Sequence, residues 1–454
     1  MSTRVDQYAE TIPQTTAQNV QNASAAKTAS RTTALAGLFR DPGQAQDYAA
    51  ATKSYVLDNL GSLLRQFEEK CIQNGIHVHW AEDAAEARQI VLDICKSAAP
   101  TGSPIVKAKS MATEEIHLNH ALEDAGYHPI ETDLGEFVVQ IDNDVPTHIV
   151  TPIIHKNRNE ISKSFVREHL GSETTVPEEL AGQARQYLRS KFREAPIGIS
   201  GVNFGIAETG RLVLVENEGN SRLSTTATDT HIAVMGLEKL LPTEADLAVF
   251  LPLLAGSATG QRITTYTHFI SGPRKEDEAD GPQSVHAVIL DNGRSKIMAG
   301  PYRDILRCIR CGACLNVCPV YRRVGGHGYK HVYSGPLGAV LAPGLEGVEA
   351  YGDLAKASSL CGACEEVCPV RIPIPRMLLQ LRDESVRKKV VKDAVPWSLY
   401  SIGTRSSFLW RTGLTMLPMA SYAPHPLKSQ WTSSRDLPEP NEESFRRWWH
   451  GRES

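Results

Sequence analysis

The chain has 454 residues, 41% of them hydrophobic, a length for two or three domains with enough apolar content to build real cores. Its formal net charge is -4, from 48 Lys and Arg against 52 Asp and Glu, so it carries no global signal for nucleic-acid binding. No run of eighteen apolar residues occurs, so no transmembrane helix is expected, and the start, Met1-Ser2-Thr3-Arg4-Val5-Asp6, lacks the apolar core of a secretory signal.

Residues 1–70 read as an N-terminal segment of helical or mobile character. The first 30 residues are small and polar without a period, and are expected to be mobile or loosely docked. The Ser/Thr/Ala-rich residues 14 to 36 share the composition of transit peptides, but a frayed bacterial N terminus is the expected reading. Leu57, Leu60, Leu64 and Phe67 recur at helical spacing and predict a helix over 44–73. Strand Ile76 to Trp80, helix Asp83 to Lys96, strand Pro104 to Ala108 and helix Ala112 to Ala125 follow. That alternation predicts a parallel α/β sheet. Val138 to Ile141 and His148 to Val150 read as strands, and 160–194 as helix. Ile197 to Ala207 and Arg211 to Val215 read as a hairpin turning at Glu208-Thr209-Gly210, where the glycine supplies positive φ. Ile232 to Gly236, Leu247 to Phe250, Ile263 to Tyr266 and Val285 to Leu290 read as further strands, the last closing at Asp291-Asn292-Gly293.

From about residue 297 the strand patterns stop. Seven of the nine cysteines fall in two runs. The first, Cys308-x2-Cys311-x2-Cys314-x3-Cys318-Pro319, has the spacing of bacterial ferredoxins. Three thiolates two residues apart can reach different irons of one cubane, and the fourth, before a proline, ligates the other cluster. Cys308, Cys311, Cys314 and Cys368 are therefore expected at cluster one. Cys318, Cys361 and Cys364 are expected at cluster two. The second run has Ser358 where a further cysteine would stand. Cluster one is expected to be [4Fe-4S]. Cluster two is expected to be either [3Fe-4S], or [4Fe-4S] with a hydroxyl, a water or a partner-supplied fourth ligand. Zinc sites separate two ligand pairs by a longer span, and disulfides need an oxidising compartment, so neither fits. Cys71 and Cys95 read as ordinary thiols. Cluster thiolates without an export signal point to the cytoplasm.

Between 303 and 331 stand Arg303, Arg307, Arg310, Arg322, Arg323 and Lys330 against Asp304 alone. Such charge is expected to favour reduced clusters or to dock an acidic partner face, or else to be a solvated surface. Ile374 to Lys392 reads as a basic amphipathic helix. The tail beyond it, with Trp397, Trp410, Trp431, Trp448 and Trp449, is expected to pack on its own domain or on a partner.

Three stretches carry a resemblance to a known family: Gly198-Ile199-Ser200-Gly201-Val202-Asn203-Phe204-Gly205-Ile206-Ala207-Glu208-Thr209-Gly210, Val317-Cys318-Pro319-Val320-Tyr321 and Tyr333-Ser334-Gly335-Pro336-Leu337-Gly338-Ala339. With the cysteine runs and the aromatic tail, they make the sequence similar to the lactate-utilisation protein B family over nearly its whole length. The resemblance implies an α/β lactate-utilisation (LUD) domain over 71–296, similar in fold to sugar isomerases and CoA transferases. It implies an all-α ferredoxin-like two-cluster domain over 297–392 and a family-specific region over 393–454. It implies an iron–sulfur subunit of a multi-protein system that oxidises L-lactate to pyruvate and allows growth on lactate. The implied partners are a cysteine-rich A-type protein and a LUD-type C protein, with a small 2-hydroxy acid handled by the complex and a membrane electron acceptor as one sink.

Within the LUD-like region, Lys107, Lys109 and Ser110 follow a strand, where α/β folds place ligands. Glu208, Thr225, Thr226 and Asp229 are further candidates. Each has a turn or cap reading as well. Gly256 to Gly260 lacks the ending of a P-loop, and no G-x-G-x-x-G follows a strand. Three roles stay open: an electron-transfer subunit, a LUD domain that itself transforms the small acid, and a redox sensor or assembly scaffold.

Overall fold

The computed structural model describes residues 3–147, 152–390, 396–420 and 445–452. Ten strands lie between Ile76 and Leu290: β1 (Ile76–Ala81), β2 (Pro104–Lys107), β3 (His128–Glu131), β4 (Ile197–Gly201), β5 (Phe204–Ile206), β6 (Leu212–Glu216), β7 (Thr230–Gly236), β8 (Leu240–Leu241), β9 (Tyr266–Ile270) and β10 (Ser284–Leu290). Six form a parallel sheet in the order β1-β10-β7-β4-β2-β3. Its centre is apolar on both sides because helices cover both faces. Ala233, Met235, Ala287 and Ile289 pack with Leu64 and Phe67 of the Leu60–Gln73 helix. Ile232, Val234, Val288 and Leu290 pack with Val91 and Ile94 of the Ala84–Ala98 helix. A second sheet runs β8-β5-β6-β9. Its β5–β6 hairpin turns through Gly210 at φ +70°, as the sequence predicts.

Several expectations are corrected. Val138 to Ile141 is not a strand but the end of helix Leu134–Ile141, which Asp133 caps at the N–H groups of Gly135 and Glu136. Leu134, Phe137, Val138 and Ile141 follow helical spacing and pack toward Phe165. Leu247 to Phe250 opens helix Leu247–Thr259. Its residues are apolar nearly all round, so periodicity cannot separate helix from strand there. The 44–73 helix is two, Pro42–Asp58 and Leu60–Gln73, and the 160–194 helix is two, Arg158–Arg167 and Pro177–Glu194, the latter restarting with Pro177 in its first turn. The strand expected over Ile197 to Ala207 divides at Val202-Asn203 between the two sheets. The strand expected at Ile263 to Tyr266 begins at Tyr266. His148 to Val150 lies outside the described residues.

The N-terminal stretch is ordered into helices Arg4–Thr11 and Gln14–Leu38. The second has no apolar stripe because its Ala, Ser and Thr side chains are small. They bury by close approach, with Ala17, Val20, Ser24, Ala34 and Leu35 inside. It reaches the cysteine-bearing segment: the Arg31 guanidinium donates to the Val367 carbonyl at 2.6 Å, and the Thr28 hydroxyl to the Asn316 carbonyl at 3.2 Å. Arg4 pairs with Asp353 at 2.9 Å.

From Arg294 to Arg387 every described element is an α-helix or a 3-10 turn. Residues Met1–Val391 pack as one unit. Residues Lys392–Ser454 form a second, with helices Pro396–Thr404, Ser407–Ala420 and Phe445–His450. Within it Tyr400 and Trp410 meet edge to face, and Trp410, Trp448 and Trp449 are exposed. Trp431 lies outside the described residues. No helix among the described residues is long and apolar enough to cross a membrane.

Candidate functional site

The two cysteine runs share a backbone conformation. Arg310 (φ +61°), Cys311 and Gly312 (φ +74°) match Leu360 (φ +55°), Cys361 and Gly362 (φ +86°). Each leads into a short helix, Ala313–Val317 or Ala363–Glu366. A left-handed residue other than glycine costs about 1 kcal/mol or more, and persists where surrounding structure enforces it, as at binding sites.

Cys308, Cys311, Cys314 and Cys368 line one small cavity with Ile309, Leu337 and Ile372. Cys318 senses the charge of Cys361, and Cys364 that of both Cys318 and Cys361. The Ala313–Val317 and Ala363–Glu366 helices, which carry Cys314 and Cys364, pack against each other, so the two groups adjoin. Burial pushes the Cys311 and Cys364 thiols up to about 12 and Cys368 up to about 11. The exposed Cys361 shifts downward, because the Ala363 N–H and the Ser359 hydroxyl favour its thiolate. Buried thiols surrender their protons to metal, so metal binding and folding are linked. None of the nine cysteines is in a disulfide. Seven converging thiols with aliphatic walls fit iron–sulfur clusters. The backbone N–H groups of Arg310 and Ile372 approach the Cys308 and Cys368 sulfurs at 3.3 and 3.4 Å. The Ser358 hydroxyl accepts from the Leu360 N–H at 3.1 Å. Cys71 and Cys95 are buried thiols pushed up to about 12 by burial, as ordinary core cysteines are.

The basic run does not form one open face. Arg303 pairs with Asp58, Arg307 with Asp304, and Arg310 with Glu238. Arg322 donates to the Asn316 carbonyl and the Thr28 hydroxyl. Only Arg323 and Lys330 of the six are exposed.

A cleft of about 330 Å³ opens at the carboxyl ends of the parallel strands. Lys109 and Ser110 enter it after β2, Gly201 to Asn203 after β4, Glu238 and Lys239 after β7, and Arg294 after β10. Arg310 and Tyr333 close it from the cysteine-bearing segment. Open α/β sheets place ligands at this edge.

Behind the cleft is a buried ionic network. The Arg294 guanidinium donates to both Glu115 oxygens at 2.8 and 2.7 Å and to Glu238 at 2.7 Å. Arg310 reaches the other Glu238 oxygen at 3.1 Å and lies 4.8 Å from the Tyr333 ring centroid. The Tyr333 hydroxyl donates to Glu115 at 2.6 Å. Burial works against the Glu238 charge, but Arg294 and Arg310 bring it down to about 2. Burial, then Arg310, pushes Lys239 down to about 7. Burial, then Asp133, raises Glu218, which also lines the cleft, to about 7.

Of the residues chosen from sequence, Lys109 and Ser110 line the cleft and the others do not. Lys107 is 1% exposed and is held by Glu131 at 2.7 Å and Glu114 at 3.1 Å. Burial opposes its charge, and those carboxylates keep it protonated. Glu208 accepts from the Glu244 N–H at 3.0 Å, and Asp229 accepts from Gln283 at 3.1 Å. The hydroxyls of Thr225 and Thr226 donate back to the Arg222 carbonyl. These are turn and cap roles. Sequence reasoning missed Glu238, Lys239, Arg294 and Tyr333. The position of Glu238 and Lys239 just past a buried strand, and of Arg294 just past Asp291-Asn292-Gly293, was the available signal.

Comparison with known proteins agrees with this organisation. Family models match as LUD domain over residues 64–290, as 4Fe-4S dicluster domain over 304–372 and as lactate utilisation protein B, C-terminal, over 375–454. Lactate utilization protein B of Bacillus licheniformis is 46% identical over 419 residues, 89% of this chain and 87% of that protein. Lactate utilization protein B of Bacillus subtilis is 45% identical over 416 residues, 88% and 86%. An electron transport protein of Escherichia coli, YkgF, is 45% identical over 415 residues, 89% and 87%. A crystal structure of a DUF162 family protein from Deinococcus radiodurans aligns over 51% of this chain and 98% of its own at 14% identity and a TM-score of 0.27, too low to support any inference. The parallel-sheet LUD domain, the dicluster cysteine segment and identity near 45% across nearly nine-tenths of the chain together make this protein a member of the lactate utilization protein B family.

Proposed function

We propose that this chain is the electron-carrying iron–sulfur subunit of a multi-protein, cytoplasmic system that oxidises L-lactate to pyruvate and so permits growth on lactate. The observation that carries the reading is the interleaving of the runs: Cys368 shares a cavity with Cys308, Cys311 and Cys314, while Cys318 neighbours Cys361 and Cys364. Cys308, Cys311, Cys314 and Cys368 hold a [4Fe-4S] cluster in an all-α ferredoxin-like domain. Cys318, Cys361 and Cys364 hold a second, [3Fe-4S] or [4Fe-4S], beside Ser358. Such clusters, when bound, exchange one electron at a time.

The chain's own residues set the environment. N–H groups of Arg310 and Ile372 aimed at sulfur, and the Arg310 charge beside Cys308, favour the reduced state. The packing of the helices that carry Cys314 and Cys364 favours a short path between the two groups. Its partners are the cysteine-rich A-type and LUD-type C proteins of the same system, which pass electrons on to a membrane acceptor. The test is anaerobic: full-length protein mixed with L-lactate, with and without those two proteins, followed by EPR. Cluster reduction that requires the partners supports the reading. Rapid reduction by lactate without them moves the chemistry into this chain and overturns it.

A further inference from the structure

The matched family models begin at residue 64, but the helix Gln14–Leu38 reaches both cysteine runs. Arg31 donates through Nη2 to the Val367 carbonyl at 2.6 Å, one residue before Cys368. Thr28 shares its hydroxyl proton between the Ser24 carbonyl at 2.9 Å and the Asn316 carbonyl at 3.2 Å, two residues before Cys318. Arg322 completes that second contact, with Nε on the Asn316 carbonyl at 2.6 Å and Nη2 on the Thr28 hydroxyl at 3.0 Å. Thr28 and Arg31 are three positions apart, so a single face of the helix meets both runs. It meets each just ahead of its last cysteine, the one that serves the other run's group.

The helix is held there by close packing. It lies against helices Leu247–Thr259, Ala313–Val317 and Pro319–Val324. A Cβ on Gly256 would stand 2.9 Å from Leu35 Cδ2, and one on Gly260 would stand 2.4 Å from Ser30 Cβ. The Gly256 to Gly260 stretch, which lacks a P-loop ending, thus seats the part of the helix that carries Arg31. Burial weighs against the Arg31 charge, and the Cys311 and Cys368 thiolates weigh for it. Both cysteines belong to the same proposed group.

We infer that helix Gln14–Leu38 is a clasp on the metal site, and that Arg31 is its positioning residue for the group at Cys308, Cys311, Cys314 and Cys368. By fixing the Val367 carbonyl, Arg31 fixes the reach of Cys368 across to the first run, and it brings a partly buried positive charge to that group. Such charge stabilises the electron added on reduction and so raises the potential. Thr28 and Arg322 secure the approach of Cys318 at the Asn316 carbonyl. The inference rests on the proposed clusters, which the iron and sulfide content of the wild-type protein checks separately.

The experiment is an EPR-monitored redox titration of anaerobically purified full-length wild type, Arg31→Met, Arg31→Lys and Arg4→Met. Iron content and the loss of iron to a chelator are followed on the same samples. In Arg31→Met the signal that Cys311→Ser abolishes is expected to shift to lower potential, and its group to give up iron about tenfold more readily, as when a residue supporting a metal ligand is lost. The other signal is expected to keep its potential. Arg31→Lys, which keeps the charge and loses the planar donor, is expected to fall between wild type and Arg31→Met. Arg4→Met breaks the Asp353 pair of the neighbouring helix Arg4–Thr11 and is expected to leave both potentials unchanged. Unchanged potentials in Arg31→Met at full iron content overturn the inference. So does an equal shift of both signals, or the same shift in Arg4→Met, since either marks general loosening of the N-terminal segment. If Arg31→Met does not fold, Arg31→Lys decides: a downward shift confined to one signal supports the clasp, and no shift overturns it. A wild type without iron–sulfur groups overturns the proposed function and the clasp together, whereas two groups with an indifferent Arg31 overturn the clasp alone.

Discussion

Arg294 is the residue on which the junction between the sheet and the cysteine-bearing segment depends. It is 1% exposed and donates to both oxygens of Glu115, to Glu238 and to the Asp291 carbonyl. Glu115 in turn holds the Tyr333 hydroxyl, and Glu238 holds Arg310. Arg294→Met preserves much of the side-chain volume and removes the charge. Two buried carboxylates then lose their main counter-ion, and breaking one side of a buried ionic network costs about 3–5 kcal/mol. Asn292 and Tyr333 still donate to Glu115, and Arg310 to Glu238, which places the cost near the lower bound, about 3 kcal/mol. With a urea dependence of about 3 kcal/mol/M, the unfolding midpoint of the anaerobic full-length protein is expected to fall by about 1 M. Adding Glu115→Gln to Arg294→Met removes one stranded charge and is expected to restore about 1 kcal/mol or more. A loss below about 1 kcal/mol in the single variant, or no recovery in the double, refutes the assignment of this network as the structural joint.

Three further outcomes follow from the geometry. Burial pushes the His231 imidazole down to about 3, whereas an unfolded histidine titrates near 6.5. Between those values the unfolded chain binds a proton the folded one refuses, so this contribution is complete above about pH 6.5 and declines by about 1.4 kcal/mol per pH unit below it. His231→Asn should flatten the loss of urea stability between pH 6.5 and 5.5; an unchanged slope contradicts the buried, neutral ring. Cys311→Ser is expected to abolish one cluster's EPR signal and growth on lactate, and normal iron content with normal growth counts against its role. Ser358→Cys is expected to alter the signal of the group at Cys318, Cys361 and Cys364, since Ser358 adjoins Leu360 and Cys361; identical spectra place it away from that group.

The sequence made the cysteine grouping legible because ligand spacing is a local covalent property, and the chain repeats it with the same backbone at Arg310–Gly312 and Leu360–Gly362. The parallel sheet was legible for the same kind of reason: short β-branched runs such as Ile232 to Val234 alternate with helices. Periodicity failed where a helix is apolar all round, as at Leu247–Thr259, or built from small residues, as at Gln14–Leu38. The cleft was half legible. Lys109 and Ser110 follow a strand, but Lys107 was indistinguishable from them until Glu114 and Glu131 closed on it. Glu238, Arg294, Arg310 and Tyr333 are distant in sequence and meet only through the fold; the place of Glu238 past a strand and of Arg294 past a turn marks single positions, and nothing local says that the four converge. The basic character of 303–331 misled for a related reason, since most of those charges find partners inside the unit.

The most direct test substitutes the last cysteine of each run separately, as Cys318→Ser and Cys368→Ser, and compares low-temperature EPR and iron content with those of Cys311→Ser. Cys368→Ser is expected to perturb the same signal as Cys311→Ser although it lies 57 positions further along the chain (368 minus 311), and Cys318→Ser the other signal. If Cys318→Ser instead shares the Cys311→Ser phenotype and Cys368→Ser does not, each run binds its own metal group and the crossed wiring is wrong.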